Sequence, residues 1–331
     1  LFILFGCVET PEPDINDEKA GNYIVLSEGL LGQNNSKLAL INLEKNIINS
    51  QYYEQINNQQ LGDNANDMII VGNNIYIIVS QSNKIIKINK NTGKIISENI
   101  LDKNRFMKRI YFDEYIYISD LLNNSLLKVD TASLSILKEI NTGPGPDGIA
   151  SNERYIFVAN SAVGQFKDNE KGARTISFIN KITGAEEKQL LIGPNTTNII
   201  VLNNLLIASY ANFHWEDGKI GGLIFYDLIS NQIIKEIKCD ITSKIVLNKN
   251  KIYFINKSGL NSLNINDYSI KNELQNTTTN IWYSFNIIDD VYFILNAKNH
   301  QVPGELLIFD NQNKIANFTT GLNPNTILKL N

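Results

Sequence analysis

GPGPDGIASNERYIFVAN, residues 143–160, decides the fold of this chain. A Gly/Pro-rich opening leads into the apolar run of Ile149 and Ala150. A short polar break follows, and then comes YIFVAN, β-branched and aromatic and ending on a polar residue. Runs of five or six such residues bounded by Gly, Asn and Asp are strand signals, whereas a helix needs a longer run with a 3.6-residue period. The YIFVAN pattern recurs along the whole chain: NYIVLS from Asn22, IYIIVS from Ile75, YIYISD from Tyr115, LLIASY from Leu205, KIYFIN from Lys251 and VYFILN from Val291. Successive starts lie 53, 40, 40, 50, 46 and 40 residues apart.

A second column follows each of these. It is an apolar run closing on Asn42, Asn89, Asp130, Asn180, Asp227, Asn264 or Asp310, with turn residues such as KNTGK or KITGA behind it. A short side-chain acceptor there satisfies the backbone N–H groups of a hairpin turn. Spread one per repeat, these residues do not form a calcium site. Four short strands per unit of about 40 to 50 residues is the pattern of propeller blades. Seven copies predict an all-β, seven-bladed β-propeller over residues 22–331, with four antiparallel strands per blade. GLNPNTILKL near the C-terminus matches the openings GPGPDGIA and GPNTTNIIVL, and the N-terminal segment supplies strands from Asn22, Leu38 and Ile47. The last blade is therefore expected to be closed by both chain ends, which removes the open edges of the array.

The chain has 331 residues, 43% of them hydrophobic, and a formal net charge of −4 with a pI of about 5.4. That is ample for a core, and the lack of a Lys/Arg cluster argues against a nucleic-acid partner. LFILFGC, residues 1–7, is too short to span a bilayer. Its Leu4-Phe5-Gly6-Cys7 resembles the lipobox of a bacterial lipoprotein signal, which implies a lipid on Cys7 and a membrane attachment by that anchor only. Because the chain begins with Leu, the charged start of such a signal is expected upstream. Residues 8–21 hold Glu9, Glu12, Asp14, Asp17 and Glu18 with two prolines, the composition of a solvated tether. Cys239, in an apolar stretch, is expected to be a buried free thiol.

The Gly-Pro-x-Pro-Asp-Gly-Ile opening, FVANS with its long polar insert and the [VI]-[DN]-x-x-T-G hairpin together resemble the YncE-like seven-bladed propellers. That group includes surface lipoproteins of Bacteroidetes built on domains of unknown function. The resemblance spans residues 22–331. It implies an outer-membrane lipoprotein facing the cell surface or the periplasm. One role in the group is capture of cobalamin and its transfer to a TonB-dependent transporter.

In a propeller the loops from strand D to the next strand A, and those from B to C, open on one face. The long inserts of this chain fall there. They carry Asn160, Phe166, Arg174, Asn212, Phe213, His214, Trp215 and His300, and the D–A connections add Asn66, Asp67, Lys108, Arg109, Asp147, Asn198, Trp282, Tyr283 and Asn325. Amide and charged groups around aromatic anchors suit a specific ligand or partner. No nucleophile-elbow, HExxH or Cys/His zinc pattern occurs. The expectation is a binding protein without enzymatic activity, bound metal or cofactor. The alternatives are a protein- or glycan-binding scaffold and, less favoured, an extracellular hydrolase or lyase.

Overall fold

The computed structural model describes residues 21–164, 166–211 and 221–330. The expected signal remnant and nearly all of the tether lie outside these, as do Cys7, Asn212, Phe213, His214 and Trp215. The chain starts with β1 (Tyr23–Ser27), β2 (Lys37–Asn42), β3 (Ile47–Asn49) and the helix α1 (Tyr52–Asn57). Blade 2 is β4 (Ala65–Val71), β5 (Asn74–Val79), β6 (Lys84–Asn89) and β7 (Ile95–Ile100). Blade 3 is β8 (Met107–Asp113), β9 (Tyr115–Asp120), β10 (Ser125–Val129) and β11 (Ile136–Asn141). Blade 4 is β12 (Pro146–Ser151), β13 (Tyr155–Asn160), β14 (Thr175–Asn180) and β15 (Glu186–Leu191). Blade 5 is β16 (Asn198–Leu202), β17 (Leu205–Tyr210), β18 (Gly222–Asp227) and β19 (Gln232–Lys238). Blade 6 is β20 (Val246–Asn248), β21 (Lys251–Asn256), β22 (Gly259–Asn264) and β23 (Ile270–Gln275). Blade 7 is β24 (Ile281–Ile288), β25 (Val291–Lys298), β26 (Glu305–Asp310) and β27 (Asn313–Thr319).

The last strand, β28 (Pro324–Lys329), pairs with β1, so blade 1 runs β28-β1-β2-β3. All seven sheets are four-stranded and antiparallel, and both chain ends close one blade, as the repeat predicts.

Each sheet is sandwiched between two others, so its middle strands are buried on both faces. In β5, Ile75, Ile77 and Val79 join the core shared with blade 1, while Tyr76 and Ile78 face blade 3. Seven apolar clusters result, one at each interface between neighbouring blades. The Asx column works as expected in six blades. Asn180 Oδ1 accepts from the N–H groups of Ile182 and Thr183 at 2.8 and 3.1 Å, and Asp227 does the same for Ile229 and Ser230 at 2.7 and 2.8 Å. Asp310 differs because β26 and β27 are joined by a shorter turn, and its Oδ1 takes the Asn311 side chain instead.

The helix α1 is a feature the repeat gives no hint of. It buries Tyr52 and Tyr53 against the core between blades 1 and 2 and ends on Asn58 in the left-handed conformation. Cys239 is buried and free, but it lies one residue past β19, not within a strand. Burial pushes its thiol up to about 12. Since the thiolate is the reactive form, the folded protein should resist iodoacetamide at pH 8. Mass spectrometry should show carbamidomethylation of Cys239 only in denaturant, and rapid native labelling would contradict its burial.

Candidate functional site

The sequence alone places the candidate D–A residues in connecting loops. The structure instead makes most of them the first residues of the innermost strands, because these strands begin with β-bulges. A bulge sets extra residues of one strand against its partner and re-aims their side chains. Relative to its neighbour, β4 carries Asn66 as an extra residue. In β8, Lys108 and Arg109 together oppose the single position between Asp120 and Ile118. Asp147 and Gly148 do the same in β12, Tyr283 is extra in β24, and Asn325 is extra in β28.

These irregular strand starts surround a cavity of about 420 Å3 at the mouth of the central channel, on the long-insert face. Every blade contributes to its lining. Blades 1 to 3 supply Asn325 and Thr326, Asp67, and Lys108 with Arg109; blades 4 to 7 supply Asp147, Asn198, Lys244, and Tyr283 with Ser284. Glu28, just past β1, completes the wall.

The lining is a relay of polar contacts from blade to blade. Tyr283 of blade 7 donates to both carboxylate oxygens of Glu28, at 3.2 and 3.0 Å. Asn325 donates to Glu28 at 2.9 Å and to the Asn66 carbonyl at 2.7 Å. Thr326 donates to Asp67 Oδ1 at 3.1 Å, and Asp67 Oδ2 accepts the Ile110 N–H at 3.3 Å. Arg109 Nε lies 3.2 Å from Asp147 Oδ1. That contact is ionic, since Oδ1 has no hydrogen bond of good geometry. Burial works against the Arg109 charge, but Asp147 and Asp67 outweigh it and hold the pKa above its ordinary value. Gly148 N–H donates to the Thr197 carbonyl at 2.9 Å. A Cβ on Gly148 would stand 2.4 Å from that oxygen, so only glycine permits the approach. Asn198 donates to Ser209 and, at 3.4 Å, to the Ser243 carbonyl of blade 6.

Lys244 stands at the end of this relay. Among the described residues its ammonium has no hydrogen-bond or ion-pair partner. Burial, which disfavours a charge, lowers its pKa to about 8; Asp67 opposes the shift and Arg109 adds to it. The hydroxyl of Tyr283 is pushed up strongly, by burial first and then by Glu28, and stays protonated as a donor.

The structure thus brings Asp67, Arg109, Asp147, Asn198 and Tyr283 together, with Lys108 and Asn325. Others of the expected set serve the scaffold. Asn66 is buried and donates to Ser80 and to the Met107 carbonyl. Asn160 is buried and donates to Thr175 and Ser177, both at 2.9 Å. Trp282 packs in the core between blades 6 and 7, near Phe309. Arg174 forms a two-point ion pair with Asp168 that folds its own insert. His300 stands behind the wall, edge-on to Tyr283 and hydrogen-bonded through Nδ1 to Asn323 at 2.8 Å. Phe166 is 87% exposed on the blade 4 insert.

Sequence reading missed Lys244, Glu28, Thr326 and Ser284. The signal was available. Thr326, Asp67, Arg109, Asn198, Lys244 and Ser284 all precede a buried apolar residue in or just before the innermost strand of their blade, namely Ile327, Met68, Ile110, Ile199, Ile245 and Phe285.

No curated protein is a significant match for the chain. Among solved structures it is similar to a quinonprotein alcohol dehydrogenase-like protein from Bacteroides thetaiotaomicron VPI-5482. The identity is 10% and the TM-score 0.65, over 95% of this chain and 79% of that one. Similarity to BamB from Moraxella catarrhalis has 13% identity and a TM-score of 0.53, over 91% and 84% of the two chains. For the dihydro-heme d1 dehydrogenase NirN the values are 8% and 0.59, over 94% and 76%. At such identities the likeness shows the fold alone. The family evidence is a match of residues 20–183 to the model of a domain of unknown function, DUF5074.

Proposed function

We propose that this chain is a binding protein whose channel mouth captures a small polar ligand, displayed at a bacterial surface from a lipid on Cys7. The observation that carries the reading is the cavity of about 420 Å3 to which all seven blades contribute polar or charged groups. That volume lies in the range of small-molecule sites. Five of the innermost strands are bulged at this end, which re-aims side chains where a regular ladder would pair them. We read the site as gripping its ligand, not transforming it, because its buried acids and Arg109 hold one another in place.

A corrinoid is much larger than this cavity and would lie across the mouth on the long inserts. A captured nutrient would then pass to a TonB-dependent transporter. The partner-docking reading has its own support. Leu31, Leu122, Phe166 and Val302 are exposed on B–C loops of the same face. Ile182 and Ile229 are as exposed on the opposite face, so the apolar rim ranks second to the cavity.

A thermal-shift ligand screen on residues 21–331 tests the site. A true ligand at a hundredfold excess over its Kd should add roughly 2.7 kcal/mol of stability. A hit weakened by Thr326→Val or Asn198→Ala occupies the cavity; one weakened only by Trp215→Ala sits on the inserts. Indifference to all three would sink the proposed face. Cyanocobalamin binding at micromolar strength or weaker would remove the corrinoid form. For the anchor, Cys7→Ala should abolish incorporation of labelled palmitate in cells.

A further inference from the structure

The cavity holds charges of both signs, and their pairing is unequal. Its buried and half-buried carboxylates already have partners. Glu28 has Tyr283 and Asn325, Asp67 has Thr326 and the Met68 and Ile110 N–H groups, and Asp147 has its ionic contact with Arg109. Two cations are not matched in this way. Among the described residues neither Lys244 nor Lys108 has a hydrogen-bond or ion-pair partner for its ammonium, and both line the cavity, half-buried. They come from opposite sides of the ring, blade 6 and blade 3. A half-buried ammonium without a partner costs stability, and a ligand supplying the missing acceptor recovers that cost on binding.

We propose that the ligand presents an anionic group, a carboxylate or a phosphate, to Lys244, with Lys108 adding the second charge. This rests on the channel mouth being the binding site. Around Lys244 stand Asp67 and Arg109 from the facing strands, Lys108 and Asp147 beside them, Asp240 on its own connection, and Glu28 and Tyr283 from the blades on its other side. Among the described residues Asp240, exposed at the rim, is the one facing acid with neither a hydrogen-bond donor nor an ion-pair partner. The ammonium must be protonated to hold an anion, and burial has brought its pKa down to about 8. An ordinary lysine would bind an anion with constant strength to about pH 10. Here the affinity should fall from about pH 8 upward, approaching tenfold per unit as the free amine takes over.

Calorimetric titration with malonate and, separately, with inorganic phosphate tests this, against chloride at matched ionic strength. Malonate serves for the pH series because it stays fully ionised there. One of the two anions should bind with one-to-one stoichiometry at pH 7. Lys244→Gln should weaken it by roughly ten- to a hundredfold, the usual worth of a charge-assisted hydrogen bond. Lys244→Arg should keep binding and lose the decline above pH 8, which a structural role for Lys244 would not produce. Lys244→Gln should unfold at no lower temperature than the parent, which separates lost binding from lost fold. The inference is overturned if neither anion binds more strongly than chloride, or if Lys244→Gln keeps affinity within about twofold of the parent. A neutral compound that saturates the cavity while both anions fail would overturn the anion and leave the site standing.

Discussion

Deleting residues 321–331 should abolish the folded state. The segment removes β28, the innermost strand of blade 1, and with it the register that pairs Lys329, Leu328, Ile327, Thr326 and Pro324 with β1. Ile327 is fully buried in the core between blades 7 and 1, and Leu330 and Leu328 pack between blades 1 and 2. Three apolar side chains at about 1.5–3 kcal/mol each contribute several kcal/mol. The lost ladder hydrogen bonds, at roughly 0.5–1.5 kcal/mol each, add to that. The sum is of the order of a domain's whole net stability, about 5–15 kcal/mol. The loss is also not local, because without β28 the cores on both sides of blade 1 open. The truncated chain should show no cooperative thermal transition by circular dichroism. A circular permutant joining residue 330 to residue 21, with new ends in the turn after β7, should fold, because Leu330 N–H already donates to Asn22 O at 2.9 Å. A truncated chain that melts within a few degrees of the parent would show that ring closure contributes little.

That closure was readable in the sequence because it rests on local signals: a repeated strand, an Asx turn and a repeated Gly/Pro or Gly/Asn opening. The candidate site was readable in part, for the same reason and with the same limit. Asp67, Arg109, Asp147 and Asn198 could be placed on the correct face from their blade position. Asn66 and Trp282 stand beside Asp67 and Tyr283 at strand starts, and Asn160 ends β13 on the same face, yet their side chains turn into the blades. At the bulged starts of β4 and β24 the pairing of two strands decides which of two adjacent residues faces the channel, and neither strand announces that alone. Lys244 escaped notice because its blade opens with CDITSKI and a three-residue strand, without the Gly/Pro signature of blades 1, 4 and 5. The helix α1 is six residues long, too short for a periodicity to stand out.

The second large effect is expected at Arg105, which no repeat position marks. Its side chain is 4% exposed, between the blade 2 to blade 3 connection and the sheet of blade 3. Nη1 donates to Asp120 Oδ2 at 2.8 Å and Nη2 to Glu139 Oε2 at 2.9 Å. Asp120, fully buried, also takes the N–H of Phe106 at 3.2 Å and the side chain of Asn123 at 2.7 Å. Arg105→Met keeps much of the volume but leaves Asp120 charged without its cation, which should cost about 3–5 kcal/mol. Arg105→Lys should recover only part of this, since one ammonium cannot span both carboxylates as the planar fork does. Glu139 tells the same story through pH. Its hydrogen bond to Arg105 outweighs burial and, with help from Lys103, holds its pKa at about 2, below the ordinary 4.5. The unfolded chain therefore binds this proton first as pH falls. The stabilisation is complete above about pH 4.5 and is lost as pH drops through about 2. Glu139 is partly exposed, so solvent screening keeps its share near 1 kcal/mol, well below the worth of the buried pair. Urea unfolding at pH 7 and pH 3 should accordingly find Arg105→Met strongly destabilised at both values, while the modest deficit of Glu139→Gln shrinks at the lower one. An Arg105→Met protein within about 0.5 kcal/mol of the parent at pH 7 would mean that the buried fork aligns the strand without stabilising it.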